Sequence, residues 1–134
     1  LYIGPDHPDT GEQYMTDELW DILAEAAKWA RANEDVLVDA HWVGGNPLKV
    51  KVYGVAAWNR EKATLMLRNP ADKPQSIHID PETAFELPAH IKERTFTMKS
   101  PWAEDADKPA ITLKAGEAYT FGLEPFEVVV LEQQ

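Results

Sequence analysis

Residues 49–58 read KVKVYGVAAW, and this stretch decides the fold class. In this stretch a set of apolar side chains is spaced two or four positions apart, and the residues between them can face water. This set comprises Val50, Val52, Ala56 and Trp58. Successive side chains of a β-strand point to opposite faces of the sheet, so a period of two predicts a strand with one buried face.

The same alternation continues along the chain and predicts an antiparallel sandwich. Residues 59–62 read NREK, a polar turn, after which Leu65 and Leu67 resume the period and complete a hairpin. Further strands are predicted around Ile77 and Ile79 and at residues 94–99, 110–113, 118–123 and 126–132. Turn signals separate these segments without a second long helical pattern, which favours an antiparallel β-sandwich of about eight strands.

One interior face is predicted from this alternation. Its members are Val50, Val52, Trp58, Leu65, Leu67, Ile77, Ile79, Phe121, Leu123, Val128 and Val130. Residues 126–131 read FEVVVL, which is apolar on both faces, so this last strand is expected to be central or to lie under the helix.

One amphipathic α-helix is predicted to precede the strands. Residues 1–15 are interpreted as a strand end and a polar loop, and a helix is predicted from Thr16 to about Asn33, with Thr16 as its N-cap. Its apolar residues recur every three or four positions, and Trp20 and Trp29 flank that stripe. We expect one part of the stripe to pack on the sandwich and another to be exposed, where it can form a homodimer.

Composition narrows the classes of function. The chain has 134 residues, 44% of them hydrophobic, and a formal net charge of -10. It is shorter than the roughly 250 residues of a complete (β/α)8 barrel. Its acidity disfavours nucleic acid and membrane surfaces as partners. The absence of cysteine excludes disulfides and thiolate metal sites.

Candidate chemistry is sparse. The four histidines lack metal-ligand spacing, no glycine-rich loop fits a phosphate, and the paired acids Asp35 with Asp39 and Asp6 with Asp9 are better explained as surface or capping residues. No catalytic residue, metal or cofactor is therefore expected.

Tryptophans are the best candidates for sugar binding, because planar aromatic faces stack on sugar rings. Trp20, Trp29 and Trp58 lie beside predicted apolar faces, so packing explains them. Trp42 and Trp102 lie in predicted loops, although Trp42 could equally fill the junction between helix and sandwich. The candidate carbohydrate-binding residues are Trp42, Trp102, His41 and Asp39.

A resemblance to a known family rests on the order of four segments. These are Trp29-Ala30-Arg31-Ala32-Asn33, His41-Trp42-Val43-Gly44-Gly45-Asn46-Pro47, Val52-Tyr53-Gly54 and Leu67-Arg68-Asn69-Pro70. Their order resembles the junction between catalytic barrel and C-terminal β-sandwich in α-galactosidase-like glycoside hydrolases, including bacterial members. The resemblance implies that residues 1–5 end the eighth barrel strand, residues 16–33 form the eighth helix, and residues 41–45 cross to the sandwich.

This resemblance implies two parts, residues 1–34 from the end of a barrel and residues 35–134 as a C-terminal sandwich domain. The family's two catalytic aspartates lie on earlier barrel strands, and no residue here matches their motifs. A start at Leu1 rather than Met also favours a fragment whose partner is the barrel of the same parent chain. The expected function is thus a non-catalytic accessory domain of a glycoside hydrolase, in an extracellular or periplasmic setting. The alternatives are a carbohydrate-binding module and a protein–protein interaction sandwich.

Overall fold

The computed structural model describes residues 14–91 and 94–134. The chain divides into two compact units, Leu1–Glu34 and Asp35–Gln134. The strand end and loop expected in residues 1–13 lie outside the described residues.

The first unit contains helix α1, Asp17–Ala32, which confirms the predicted helix. Thr16 is its N-cap, because its hydroxyl accepts a hydrogen bond from the Leu19 amide at 3.3 Å. Asp17 and Glu18 stand in the first turn, where carboxylates stabilise the positive end of the helix dipole. None of the residues of α1 is buried.

The second unit is mainly β. Its strands are β1 Ala40–Gly44, β2 Tyr53–Trp58, β3 Ala63–Arg68, β4 Gln75–Ile79, β5 Thr95–Lys99, β6 Ile111–Lys114, β7 Tyr119–Leu123 and β8 Val128–Gln133. Two short helices, α2 Glu34–Leu37 and α3 Pro81–Ala84, and 3-10 turns at Pro47–Lys49, Ala89–Ile91 and Ala103–Asp105 complete the described elements. The prediction of about eight strands after one long helix is confirmed.

All pairs among the described strands are antiparallel. Six strands form one sheet in the order β1-β2-β3-β8-β5-β6, and β4 pairs with β7 in a second sheet. The predicted hairpin is present, because β2 and β3 pair from Tyr53 with Arg68 to Trp58 with Ala63. Strand β8 lies between β3 and β5, so its expected central position is confirmed.

The core of the second unit lies between the two sheets. Its most completely buried large side chains are Phe85, Phe96, Leu65, Leu67, Met98, Leu113 and Leu123. Phe85 and Phe96 have ring centroids 5.0 Å apart. Trp58 and Ile77 are partly buried against this cluster, as predicted.

Two parts of the predicted interior face are wrong. Val50 is exposed because it ends the 3-10 turn Pro47–Lys49 with a left-handed φ of 55°, and β2 begins only at Tyr53. In β8, Val129 and Leu131 contact the core cluster, whereas Val128 is exposed. Val130 is buried, as predicted, although it is outside that cluster. Because side chains alternate along a strand, an error of one residue in register reverses their faces.

Among the described residues, no helix is long and apolar enough to cross a membrane.

Candidate functional site

A cleft of about 340 Å³ in the second unit is a candidate site. It is lined by β7, by β8 with the residue before it, and by the segment from Ser100 to Ile111 that joins β5 to β6. Its polar lining comprises Ser100, Asp105, Lys108, Thr120 and Glu127. Its volume falls at the lower end of the range typical of small-molecule sites, about 300–1,000 Å³.

Hydrogen bonds fix the loop on one side of this cleft. The Ser100 hydroxyl donates to Asp105 Oδ2 at 2.7 Å, and Lys108 Nζ lies 2.7 Å from Asp105 Oδ1. Lys99 Nζ donates to the carbonyl of Ala106 at 2.9 Å. The loop therefore holds its carboxylate in place by contacts within the protein.

Charge and hydrogen bonding shift the titration of this pair. The hydrogen bond from Lys108, followed by that from Ser100, lowers the pKa of the Asp105 carboxyl below its ordinary value. The hydrogen bond to Asp105 raises the pKa of Lys108, and the charge of Glu127 adds to this rise. Glu127 thus acts electrostatically on the same ammonium group.

An aromatic surface forms another side of the cleft. Tyr119 and Phe121 lie two residues apart on β7, with ring centroids 4.8 Å apart and planes inclined by 57°. Phe121 is buried, whereas Tyr119 is 36% exposed. Phe121 anchors this surface in the core, and the Tyr119 ring remains accessible.

The cleft has the groups of a binding site. Carboxylates accept hydrogen bonds, hydroxyl groups both donate and accept, and aromatic rings pack on apolar atoms. Hydrolysis of a glycoside would require two carboxyl groups placed on either side of the scissile bond. Here Asp105 is held by Lys108 and Ser100, so its evident role is to organise the loop. Among residues 14–91 and 94–134, no cluster of three or more potential ligands could hold a metal ion.

Trp42 lies outside this cleft, on the edge strand β1. The prediction that residues 41–45 form a crossing loop is therefore wrong, because residues 40–44 pair with β2. The Trp42 ring stacks on Tyr53 with centroids 5.1 Å apart and planes inclined by only 4°. The side chain is 58% exposed, so one aromatic face packs within the protein while much of the ring remains accessible.

His41 and Asp39 lie together but apart from the Trp42 ring. His41 Nε2 is 3.8 Å from Asp39 Oδ1, and His41 Nδ1 is 3.4 Å from Glu86 Oε1. His41 and Trp42 are consecutive in β1, so their side chains point to opposite faces of the sheet. The structure therefore does not combine these candidates into one surface.

Trp102 is also separated from Trp42. It is half-buried at the start of the turn Ala103–Asp105, and its amide lies 3.4 Å from the Ser100 hydroxyl. Strands β1 and β5 are four positions apart in the sheet, which corresponds to about 19 Å at about 4.8 Å a strand. Trp102 lies in the loop that borders the cleft.

Sequence reasoning missed the cleft because its residues come from separate segments. Residues 104–107 read EDAD and resemble an ordinary solvated loop. The available local signal was the spacing of Ser100, Asp105 and Lys108, which allows one loop to close on itself. The pairing of β5 with β8 and the packing of the second sheet on the first bring Glu127 and Tyr119 beside that loop.

Comparisons with known proteins concern the fold. No protein-family model matches this chain, and no curated protein matches it. Among solved structures, the chain is similar to the crystal structure of a putative alpha-N-acetylgalactosaminidase from Bacillus halodurans C-125, with a TM-score of 0.46 and 20% identity. The match covers 61% of this chain and 18% of that chain, so the chain matches less than a fifth of that protein's length.

Proposed function

We propose that this chain is the C-terminal region of a glycoside hydrolase and has a non-catalytic, stabilising role. Residues 35–134 would form the accessory β-sandwich, and residues 1–34 would belong to the end of the catalytic barrel of the same protein. The order of the four sequence segments that resemble α-galactosidase-like hydrolases supports this assignment.

The exposed apolar surface of α1 carries the proposal. Leu19, Trp20 and Ile22 are 43%, 46% and 57% exposed. Large exposed apolar patches are typical of surfaces that bind another protein part. A catalytic barrel that precedes this helix in the same chain would cover these side chains.

Stability of the protein with its barrel tests this role. In the parent protein, Leu19→Glu and Ile22→Glu should each lower the melting temperature of the barrel and the yield of active enzyme. Val38→Glu is the matched control, because Val38 is also apolar and is 84% exposed in the second unit. Equal effects of all three substitutions would contradict packing of α1 on the barrel.

Activity of the 134-residue chain provides a second test. It should release no product from aryl-α-galactosides, because the described residues offer no organised set of acid, base and nucleophile. Turnover that disappeared on substitution of one of its carboxylates would contradict the accessory role.

A carbohydrate-binding module is the second candidate function, and the exposed ring of Trp42 favours it. A sugar ring could stack on the accessible part of Trp42, since the contact with Tyr53 already holds the indole in place. Quenching of tryptophan fluorescence by oligosaccharides, lost in Trp42→Ala, would support this function.

A further inference from the structure

We infer that the cleft between the Ser100–Ile111 segment, β7 and β8 is a binding site for one sugar unit that carries no negative charge. The inference goes beyond the accessory role, because a sandwich can bind a sugar whether or not it packs on a barrel. It also concerns a different surface from Trp42, which lies on the edge strand β1 and does not line the cleft.

Charge selects the class of ligand. Two carboxylates, Asp105 and Glu127, line the cleft with a single ammonium group, that of Lys108. Glu104 acts electrostatically on the same ammonium group. An anionic ligand such as a phosphate or a uronic acid would meet this negative excess and be repelled.

The polar groups suit hydroxyl groups of a ligand. An ionised carboxylate has about four acceptor positions, and Asp105 uses one on Ser100 and one on Lys108. Glu127 Oε2 accepts from the Glu124 amide at 2.7 Å, which orients that carboxylate. Sugar hydroxyls can donate to the remaining acceptor positions of both side chains. The Ser100 and Thr120 hydroxyls add polar partners.

The apolar groups suit the carbon face of a sugar ring. Tyr119 presents an accessible ring, and Pro109 and Ile111 of the Ser100–Ile111 segment also line the cleft. A ligand with hydroxyls at its edge and C–H groups on its face fits this combination of carboxylates and apolar side chains better than a purely polar or a purely apolar molecule.

A matched series of probes tests the ligand class on the 134-residue chain labelled with ¹⁵N. The neutral probes are the methyl glycosides of galactose, glucose and mannose, the anionic probe is galacturonate, and the cationic probe is galactosamine. At least one neutral glycoside or galactosamine should shift the amide signals of Gly122 and Val129 in a saturable manner, with millimolar affinity as befits so small a ligand. Galacturonate should bind at least about tenfold more weakly.

Two variants test the site itself. Glu127→Gln keeps the size of the side chain and removes its charge, and Tyr119→Ala removes the aromatic face. Each should weaken binding of the sugar about tenfold, as expected for loss of a charge-assisted hydrogen bond or a ring contact. Trp42→Ala should leave binding unchanged.

Several results would overturn the inference. These are the absence of any saturable shift with the neutral glycosides and with galactosamine, tighter binding of galacturonate than of every other probe, and loss of binding in Trp42→Ala alone. Because the wild-type titration decides the first two, the test does not depend on how well a variant folds. Failure here would leave the accessory role standing, since that role is tested by barrel stability.

Discussion

At the scale of single residues, Asn69 is buried, and its side-chain amide uses both its donor and its acceptor atoms in hydrogen bonds. Its Nδ2 donates to the carbonyls of Lys73 and Glu124, each at 2.8 Å. Its Oδ1 accepts from the Ala71 amide at 3.0 Å and from Gln75 Nε2 at 2.9 Å. One side chain therefore joins the loop after β3 to the turn before β8.

Asn69→Asp should destabilise the second unit by at least about 3 kcal/mol, because a buried carboxylate would face two carbonyl oxygens that need a donor. Asn46→Asp is the matched control. Asn46 is exposed and only accepts, from the Leu48 amide at 2.9 Å, which an aspartate can do equally well. Urea unfolding measures both free energies. A similar small loss in the two variants would show that the Asn69 network contributes little.

A second prediction at the residue scale concerns the pH dependence of stability and rests on Asp105. Its folded pKa is lowered from 3.8 by Lys108 and Ser100. Between these two pKa values the unfolded chain binds more protons than the folded chain. The stability that the Asp105 carboxylate contributes is therefore complete above the unfolded pKa and is lost as the pH falls through the folded pKa. Urea unfolding should show that Asp105→Asn loses less stability than wild type between about pH 5 and about pH 3. Parallel profiles would mean that the pair does not persist in solution.

At the scale of elements, the β2–β3 pair depends on a close approach at Gly54. A Cβ atom there would lie 1.9 Å from the Met66 carbonyl oxygen and 2.9 Å from Leu67 Cδ2. Gly54→Ala must therefore push β2 away from β3, and we expect a loss of at least about 2 kcal/mol, in the range of overpacked cores.

Gly122→Ala is the control for this prediction, because a Cβ on Gly122 would meet no atom within 4 Å. It should be neutral or slightly stabilising, since alanine reduces the entropy of the unfolded chain. Thermal unfolding of the two variants decides the matter. If Gly54→Ala melted as Gly122→Ala does, the two strands could not be packed as described.

The β2–β3 pair also depends on an aromatic side chain, that of Trp58 at the end of β2. Trp58 packs against the core, and the Arg94 guanidinium carbon lies 5.7 Å from the centroid of its ring. Trp58→Ala should cost about 3 kcal/mol through lost burial and the remaining cavity. Trp42→Ala should cost less than about 1 kcal/mol, as is usual at the surface. A loss below that value for Trp58→Ala would place the ring in solvent.

The sequence predicted these elements where one local signal dominates. Helix α1 followed from its N-cap and its stripe, and the β2–β3 hairpin followed from a period of two around a polar turn. Strand β8 was placed in the centre because it is apolar on both faces, but that same uniformity gave no sign of which face contacts the core. Phe126, with a left-handed φ of 60°, precedes β8 closely, and no periodic pattern reveals such a turn.

The candidate site was harder to predict than the strands. Trp42 was expected in a loop but lies in strand β1, and its contact with Tyr53 depends on the pairing of β1 with β2. The cleft depends on longer separations still, between the loop after β5 and the strands β7 and β8. Pattern within a segment predicts an element, whereas a site made from several segments depends on their arrangement in the fold.

At the scale of the whole molecule, two opposing forces act on self-association. The exposed apolar side chains of α1 favour contact between copies, while a net charge of -10 opposes it. Salt screens repulsion between surface charges and leaves apolar contact intact. The 134-residue chain should therefore be mostly monomeric at low salt and form a larger fraction of dimer as salt is raised.

Sedimentation equilibrium at two ionic strengths measures this dimer. The double variant Leu19→Glu with Ile22→Glu should remain monomeric at both, because each glutamate removes apolar contact and adds charge to the helix surface. Val38→Glu adds charge to an exposed apolar site of the second unit and should lower dimerisation much less. A wild-type dimer that weakens with salt would show that charged groups hold the copies together. A chain that stays monomeric at high salt would remove the helix as a self-association surface.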